Sequence, residues 1–177
     1  MTSTAAKNNQ AIAYRLSNNL SRLLREFSRD FERRIWQGIH ARGYADIRPS
    51  HSAVLANLGM GAVRVTELAE RAQVTQQAMG KMLKELERMG YVVRDIDGGD
   101  KRAKEIRLTE RGMALASDSL EVVDEVRGYY ELKIGAAQLD ELEANLRNAV
   151  RKLQLEYLPK TWAEPVSEGA WSAARNP

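Results

Sequence analysis

A short segment in the middle of the chain carries two adjacent glutamines and two lysines on one side, and an arginine follows it after one further residue. Residues 74–86 read VTQQAMGKMLKEL, and their apolar residues recur at helical spacing. The residues predicted to share the inward face are Met79, Met82, Leu83 and Leu86. The outward face is then polar, with a threonine placed to cap the first turn.

The outward side chains have the chemistry needed to contact the major groove of DNA. Glutamine can form a bidentate hydrogen bond with the edge of adenine. Lysine and arginine bind backbone phosphates, which positions a protein without reading sequence. The candidate DNA-binding residues of this segment are therefore Thr75, Gln76, Gln77, Gly80, Lys81, Lys84 and Arg88.

Gly80 is unexpected inside this helix, because glycine there costs about 1 kcal/mol relative to alanine. One explanation is that a residue without a side chain lets the helix backbone approach DNA closely. The other is that glycine relieves packing against the preceding helix. The sequence leaves both explanations open.

A second basic group follows in the run GGDKRAKEIR. It is predicted to lie at or just after the tip of a two-stranded hairpin, near Gly98, where arginine could enter a narrow minor groove. Its candidate DNA-binding residues are Asp100, Lys101, Arg102 and Lys104. The alternative is a solvated, charge-rich turn whose aspartates dilute the positive field.

These residues must be positioned by a mainly helical fold. Apolar residues at three- and four-residue spacing predict one long helix over residues 11–40 and a short helix from Pro49 to Gly59. Two further short helices then precede the hairpin, and Gly90 is a suitable residue to end the second of them. Thr109 is predicted to cap a helix that reaches about Tyr130, and a last helix runs from about Ala137 to before Pro159. This order of helices and hairpin is a winged helix-turn-helix.

Residues 65–112 resemble the core of the MarR family (multiple antibiotic resistance regulators). The most specific motif is Asp100-Lys101-Arg102, followed after five residues by Leu108-Thr109, which is similar to the family's D-x-R…LT wing signature. Three departures are Gly98-Gly99 where the family often has proline, Ala78-Met79-Gly80 where small hydroxyl residues are frequent, and the lack of the cysteine of the peroxide-sensing branch.

The resemblance implies a mainly α fold with a small β-hairpin, in which terminal helices form a homodimer around two winged helices. It implies a single MarR-like subunit over residues 1–177. Its parts are dimerisation helices at 12–48 and 113–158, a DNA-binding region at 49–112 and a C-terminal tail at 159–177. It further implies a transcriptional regulator, typically a repressor, that binds a pseudo-palindromic operator in double-stranded DNA and is released by a small effector. Independently, the long apolar stripes of the first and last helices predict a dimer, since one small winged-helix unit could not bury both.

Aromatic, histidine and arginine residues provide candidates for the effector site between the dimerisation helices and the winged helix. They are Trp36, His40, Arg48 and His51, with Tyr14 and Arg15 contributed by the partner chain. Such a cleft would suit an aromatic carboxylate or a phenol. The alternative is that Trp36 and His40, one turn apart, only pack the helix against its neighbour.

Composition favours a cytoplasmic globular protein. Charged residues make up 29% of the chain, there is no cysteine, and no apolar run is long enough to span a bilayer. No nucleotide-binding loop, zinc-protease motif or hydrolase motif is present, so we expect neither an enzyme nor a cofactor or metal. Two alternatives to a sequence-specific regulator remain: a winged helix that binds an acidic protein, and an architectural DNA binder without sequence preference.

Overall fold

The computed structural model describes residues 2–59, 61–96 and 104–155, which form seven α-helices and a small antiparallel sheet. The helices are α1 (Thr2–Ser17), α2 (Leu20–Ala41), α3 (Ser52–Leu58), α4 (Val65–Arg71), α5 (Gln76–Arg88), α6 (Glu110–Ile134) and α7 (Ala136–Lys152). The strands are β1 (Val63–Arg64), β2 (Val92–Ile96) and β3 (Lys104–Leu108), and a single 3-10 turn, Pro49–His51, precedes α3. The predicted mainly α fold with a winged helix-turn-helix is confirmed. Within the described ranges, no helix is both long and apolar enough to cross a membrane.

The sheet places the hairpin directly after α5. β3 is central and pairs antiparallel with β2, where Val92 lies opposite Leu108, and with β1, where Val63 lies opposite Ile106. The sequence predicted the β2–β3 hairpin but not β1. Two residues are too few to show the alternation by which a strand is recognised.

The long first helix predicted over residues 11–40 is wrong, because two asparagines divide it. The Asn19 side chain accepts a hydrogen bond from the Arg22 backbone N–H at 3.0 Å and so caps α2. The Asn18 and Asn19 amides donate to carbonyls in the last turn of α1, including that of Tyr14. Asparagine competes in this way for backbone groups, which the apolar stripe running through the break does not reveal.

The two C-terminal helices differ from prediction at their ends. Thr109 caps α6 as predicted, since its hydroxyl accepts from the Gly112 N–H. The helix nevertheless continues to Ile134 and stops at Gly135, whose φ of 90° favours glycine. α7 ends at Lys152, earlier than predicted. The predicted tail at 159–177 lies outside the described residues.

One hydrophobic core joins the winged helix to the C-terminal half of α2 and to α6. Its fully buried members include Ile47, Leu58, Leu68, Met79, Leu83, Leu86, Tyr91, Ile106 and Leu115. α2 and α6 cross closely at Gly38, where an added Cβ would lie 2.5 Å from a methyl carbon of Val122. The core therefore fixes the winged helix against these two long helices.

Candidate nucleic-acid interface

The first turn of α5 begins at the residue that the sequence predicted. The Thr75 hydroxyl accepts from the Ala78 N–H at 3.2 Å, which satisfies one of the free donors at the helix start. Gln76 and Gln77 follow at once, and both side chains are exposed. They therefore lie at the end of the helix that meets base edges in helix-turn-helix proteins.

The body of α5 separates an apolar face from a polar one. Met79, Leu83 and Leu86 are completely buried, whereas Met82 is only partly buried. The basic residues Lys81, Lys84 and Arg88 are exposed. The structure thus brings the predicted polar residues of α5 together on one accessible surface, with the helix anchored from behind.

The end of α5 is fixed by its last carbonyl groups. The Gly90 N–H donates to the Glu87 carbonyl at 3.0 Å, and the Tyr91 N–H donates to the Leu86 carbonyl at 2.9 Å. This is the Schellman pattern, which needs a left-handed residue. Gly90 supplies it with a φ of 78°. The predicted role of Gly90 is confirmed.

Gly80 has no packing reason to be glycine. Apart from its chain neighbours and the backbone of its own helix, a Cβ added at this position would meet no atom of the described chain within 4 Å. The explanation that glycine relieves packing against the preceding helix is therefore wrong. Close approach of another molecule to the helix backbone remains the explanation to test.

The wing is described only at its base. Lys104 pairs with Ile96 in the β2–β3 ladder. The other three wing candidates, Asp100, Lys101 and Arg102, lie outside the described residues, as does the predicted hairpin tip. Their roles stay predictions.

Polar contacts from the α2–α3 connection hold the C-terminal end of α5. Asp46 accepts from the Tyr91 hydroxyl at 2.8 Å and from the Arg111 guanidinium at 3.0 Å. Arg111 also donates to the Met89 carbonyl at 2.7 Å. Burial and, second, the bond to Asp46 raise the pKa of Tyr91, which keeps its hydroxyl protonated as a donor. The connection is thus tied to the residues that follow the helix.

An apolar cavity of about 360 Å³ lies between α2, α3 and α6. Its lining comprises Ile35, Trp36, Ile39, Ile47, Ser52, Leu55, Ala56, Leu108, Leu115, Ala116, Ser119 and Leu120. It occupies the region in which the sequence predicted an effector. Its lining has two serine hydroxyls and no charged side chain among the described residues.

Only one of the six candidate effector residues lines this cavity. That residue is Trp36, while His40 uses Nε2 to donate to the Ile47 carbonyl at 2.8 Å. Arg48 is exposed and forms an ion pair with Glu85, and His51 is buried against the same carboxylate.

The remaining two candidates, Tyr14 and Arg15, are exposed on α1. Within one chain the six residues therefore do not form a single site.

Sequence reasoning missed the residues that hold the interface in place. Asp46 and Glu85 belong to no motif. Asp46 pairs with Tyr91 across 45 positions of the chain, and Glu85 pairs with His51 across 34. Leu55, Leu115 and Ser119 line the cavity but read in the sequence as ordinary helix residues. No local signal distinguishes either group.

The fold and its exposed helix α5 define a winged helix-turn-helix protein, and comparison with known proteins shows which family it resembles. Residues 45–103 match the sequence model described as "MarR family". The HTH-type transcriptional regulator SarZ of Staphylococcus aureus is 33% identical over 90 residues, which are 51% of this chain and 60% of SarZ. The chain thus spans 60% of the length of this curated relative.

Solved structures show the same fold. Wild-type MarR from E. coli in its apo form has a TM-score of 0.63 at 21% identity. The match covers 75% of this chain and 97% of the MarR chain. The S. aureus MepR F27L mutant bound to an oligodeoxyribonucleotide has a TM-score of 0.54 at 23% identity. The match covers 76% of this chain and 98% of the MepR chain. The similarity to the MarR family that the motifs predicted is thus found over residues 45–103, and the solved structures share the fold.

Proposed function

We propose that this protein is a sequence-specific DNA-binding transcriptional regulator without enzymatic activity. We propose further that it acts in the cytoplasm as a repressor. The observation that carries the proposal is the outward face of α5. Two exposed glutamines at its first turn are followed by exposed Lys81, Lys84 and Arg88 on a helix whose opposite face is buried. SarZ is named as a transcriptional regulator and MepR was solved with an oligodeoxyribonucleotide, which supports the same reading.

The polar character of this face favours DNA over a protein partner. A protein-binding helix typically presents apolar or aromatic anchors at the centre of its interface. The exposed residues at the start of α5 are Gln76, Gln77, Ala78 and Lys81, and none of them offers a large apolar or aromatic anchor. An architectural DNA binder would share the basic residues, but it would need no glutamine pair at the helix end that reaches bases.

We propose a homodimer because, in the described part of the chain, the first and last long helices leave apolar side chains uncovered. Leu16 is 69% exposed, Leu20 72% and Leu23 58%, all on α1 and the start of α2. A second opening of about 350 Å³ between α2, α6 and α7 is lined by Phe27, Phe31, Val123, Leu139 and Leu142, among others. A second copy would cover these surfaces. The two α5 helices of the dimer, one from each copy, would then lie about 34 Å apart, which is one turn of DNA.

We propose the cavity beside Trp36 as the effector site, with a neutral aromatic or phenolic ligand. An indole ring can pack against an aromatic ligand. The Ser119 and Ser52 hydroxyls already donate to the Leu115 and Pro49 carbonyls. Their oxygens are therefore free to accept from a phenol O–H but have no proton for a carboxylate. The cavity lining offers no cation for a carboxylate among the described residues.

The effector proposal is tested by tryptophan fluorescence. Titration with a neutral phenol should change the emission of the native protein, and Trp36→Phe should lose that response. Benzoate at the same concentration should give little change. An equal response to both compounds, or one that survives in Trp36→Phe, would contradict the proposed site.

The regulator proposal is tested by selecting fragmented genomic DNA on the purified protein at near-physiological salt. We expect a pseudo-palindromic motif with half-sites about one turn apart. Retention of DNA without a motif would favour the architectural binder. No retention would favour the protein-contact alternative.

A further inference from the structure

His51 is the one fully buried polar or charged side chain in the described part of the molecule, and neither the core nor the proposed DNA face accounts for it. Its Nδ1 lies 3.1 Å from the Arg48 backbone N–H, and its Nε2 lies 3.1 Å from Glu85 Oε2. Because Nδ1 accepts the backbone proton, the ring's own proton must be on Nε2, which donates to the carboxylate. Both ring nitrogens are thus engaged in one fixed orientation.

The partner of His51 belongs to α5, the helix with the proposed DNA-binding face. Glu85 lies in the third turn of α5, and the same oxygen also accepts from the Arg48 guanidinium. The hydrogen bond from His51 is the largest cause that lowers the pKa of Glu85, so the carboxylate stays ionised as an acceptor. One oxygen of α5 is therefore held by two groups of the turn that precedes α3.

The turn is itself tied to the long helices. The Ile47 side chain is fully buried, and its carbonyl accepts from His40 of α2. Tyr44 donates its hydroxyl proton to Asp118 of α6. The segment between α2 and α3 therefore connects the long helices to the middle of α5 through the pair His51–Glu85.

The position of Glu85 along α5 matters for the orientation of the glutamines. Gln76 and Glu85 are nine positions apart, about two and a half turns of helix, so their side chains leave the axis in opposite directions. Side chains extend about 5–6 Å from the helix axis, so a rotation of about 20° moves their ends by about 2 Å. That displacement is enough to break a bidentate hydrogen bond to a base.

We propose that His51 is a positioning residue for base readout: by holding Glu85 it fixes the rotation of α5 and so aims Gln76 at the base edges. This inference rests on the proposed DNA-binding function. Loss of the His51–Glu85 bond should reduce affinity for the operator while leaving affinity for unrelated DNA nearly unchanged. Phosphate contacts by flexible lysines tolerate a small rotation, whereas base contacts do not.

Two pairs of variants with matched charge separate positioning from general support of the fold. The oxygen of Asn in His51→Asn can replace Nδ1 and accept from Arg48, but its side chain is too short to reach Glu85. The amide nitrogen of Gln in His51→Gln can replace Nε2 and donate to Glu85. In the second pair, Glu85→Gln keeps an acceptor for His51 and Glu85→Ala does not, while both remove the same charge.

The experiment measures the affinity of the full chain for its selected operator and for a scrambled duplex, together with the unfolding temperature of each variant. We expect the operator-to-scrambled ratio to fall about tenfold in His51→Asn relative to His51→Gln, and in Glu85→Ala relative to Glu85→Gln. If His51→Asn does not fold, the Glu85 pair decides, because Glu85 is partly exposed.

An equal ratio within the pairs would overturn the proposal. So would a proportional loss of operator and scrambled binding, since that would indicate mere support of the fold. A native protein that does not distinguish the two duplexes would instead refute the proposed function, and the positioning role would fall with it.

Discussion

Replacing Gly80 with alanine should affect folding stability and DNA binding in opposite directions. The added methyl group enters open space in the free protein, since beyond its chain neighbours and its own helix backbone no atom of the described chain lies within 4 Å. Alanine in a helix is favoured over glycine by about 0.5–1 kcal/mol. The free energy of unfolding should rise by about that amount, which corresponds to a shift of about 1–4 °C in Tm for a chain of this size.

The same methyl group should weaken operator binding if α5 approaches DNA at this position. Forcing a methyl group into a packed contact typically costs about 1–3 kcal/mol. At about 1.4 kcal/mol per tenfold change, this is a loss of about 5- to 150-fold in affinity. Fluorescence anisotropy with a labelled operator at fixed salt measures it, and urea or thermal unfolding measures the stability.

Gly128 provides the matched control. It lies in α6, and an added Cβ there also meets no described atom within 4 Å beyond its chain neighbours and its own helix backbone. Gly128→Ala should therefore raise stability and leave operator affinity unchanged. An operator affinity that Gly80→Ala does not alter would refute the close-approach explanation, whatever the stability does.

Three further predictions follow from the described contacts. Gln76→Ala should relax base preference in a competition assay with substituted operators. Lys84→Ala should instead weaken binding to all duplexes alike and reduce its salt dependence. The same response from both variants would contradict this division of roles. Hydrogen bonds, first from Arg34 and then from Tyr130, hold the pKa of Asp30 well below its ordinary value of 3.8. These bonds therefore stabilise the folded state fully above pH 3.8, and that stabilisation is lost as the pH falls below it. Asp30→Asn should therefore lower the urea midpoint at pH 7 by more than at pH 3, and a constant difference would contradict this. Truncation after Ile134 removes α7 and should abolish dimerisation in sedimentation analysis, and a stable truncated dimer would refute that role for α7.

Helix α5 was predictable because its signals are local. The cap at Thr75, the buried face through Met79 and Leu83, and the ending at Gly90 depend on residues within one or two turns of each other. The helix break at Asn18–Asn19 was missed although its hydrogen bonds are also local, because the apolar spacing is the stronger signal. The apolar period continues through the break, and only the side-chain hydrogen bonds of the asparagines interrupt the helix.

The candidate ligand residues show the limit of reasoning from residue types. His40 and Trp36 lie one turn apart, and an aromatic ring beside an imidazole resembles a binding site. In the structure His40 donates to the Ile47 carbonyl, while Trp36 lines the cavity. Which side chain satisfies a backbone group and which faces a cavity depends on contacts between distant segments. The same holds for His51 and Glu85, whose pairing across 34 positions no sequence pattern indicates.

The central claim is that the outward face of α5 reads DNA sequence. Its most direct test is the ratio of the native protein's affinities for its selected operator and for a scrambled duplex of equal length, measured at about 150 mM salt. Specific regulators typically bind their sites at least about 10³-fold more tightly than unrelated DNA. We expect a ratio of that order for this protein. A ratio near one would contradict the claim and leave the basic residues of α5 with phosphate binding alone.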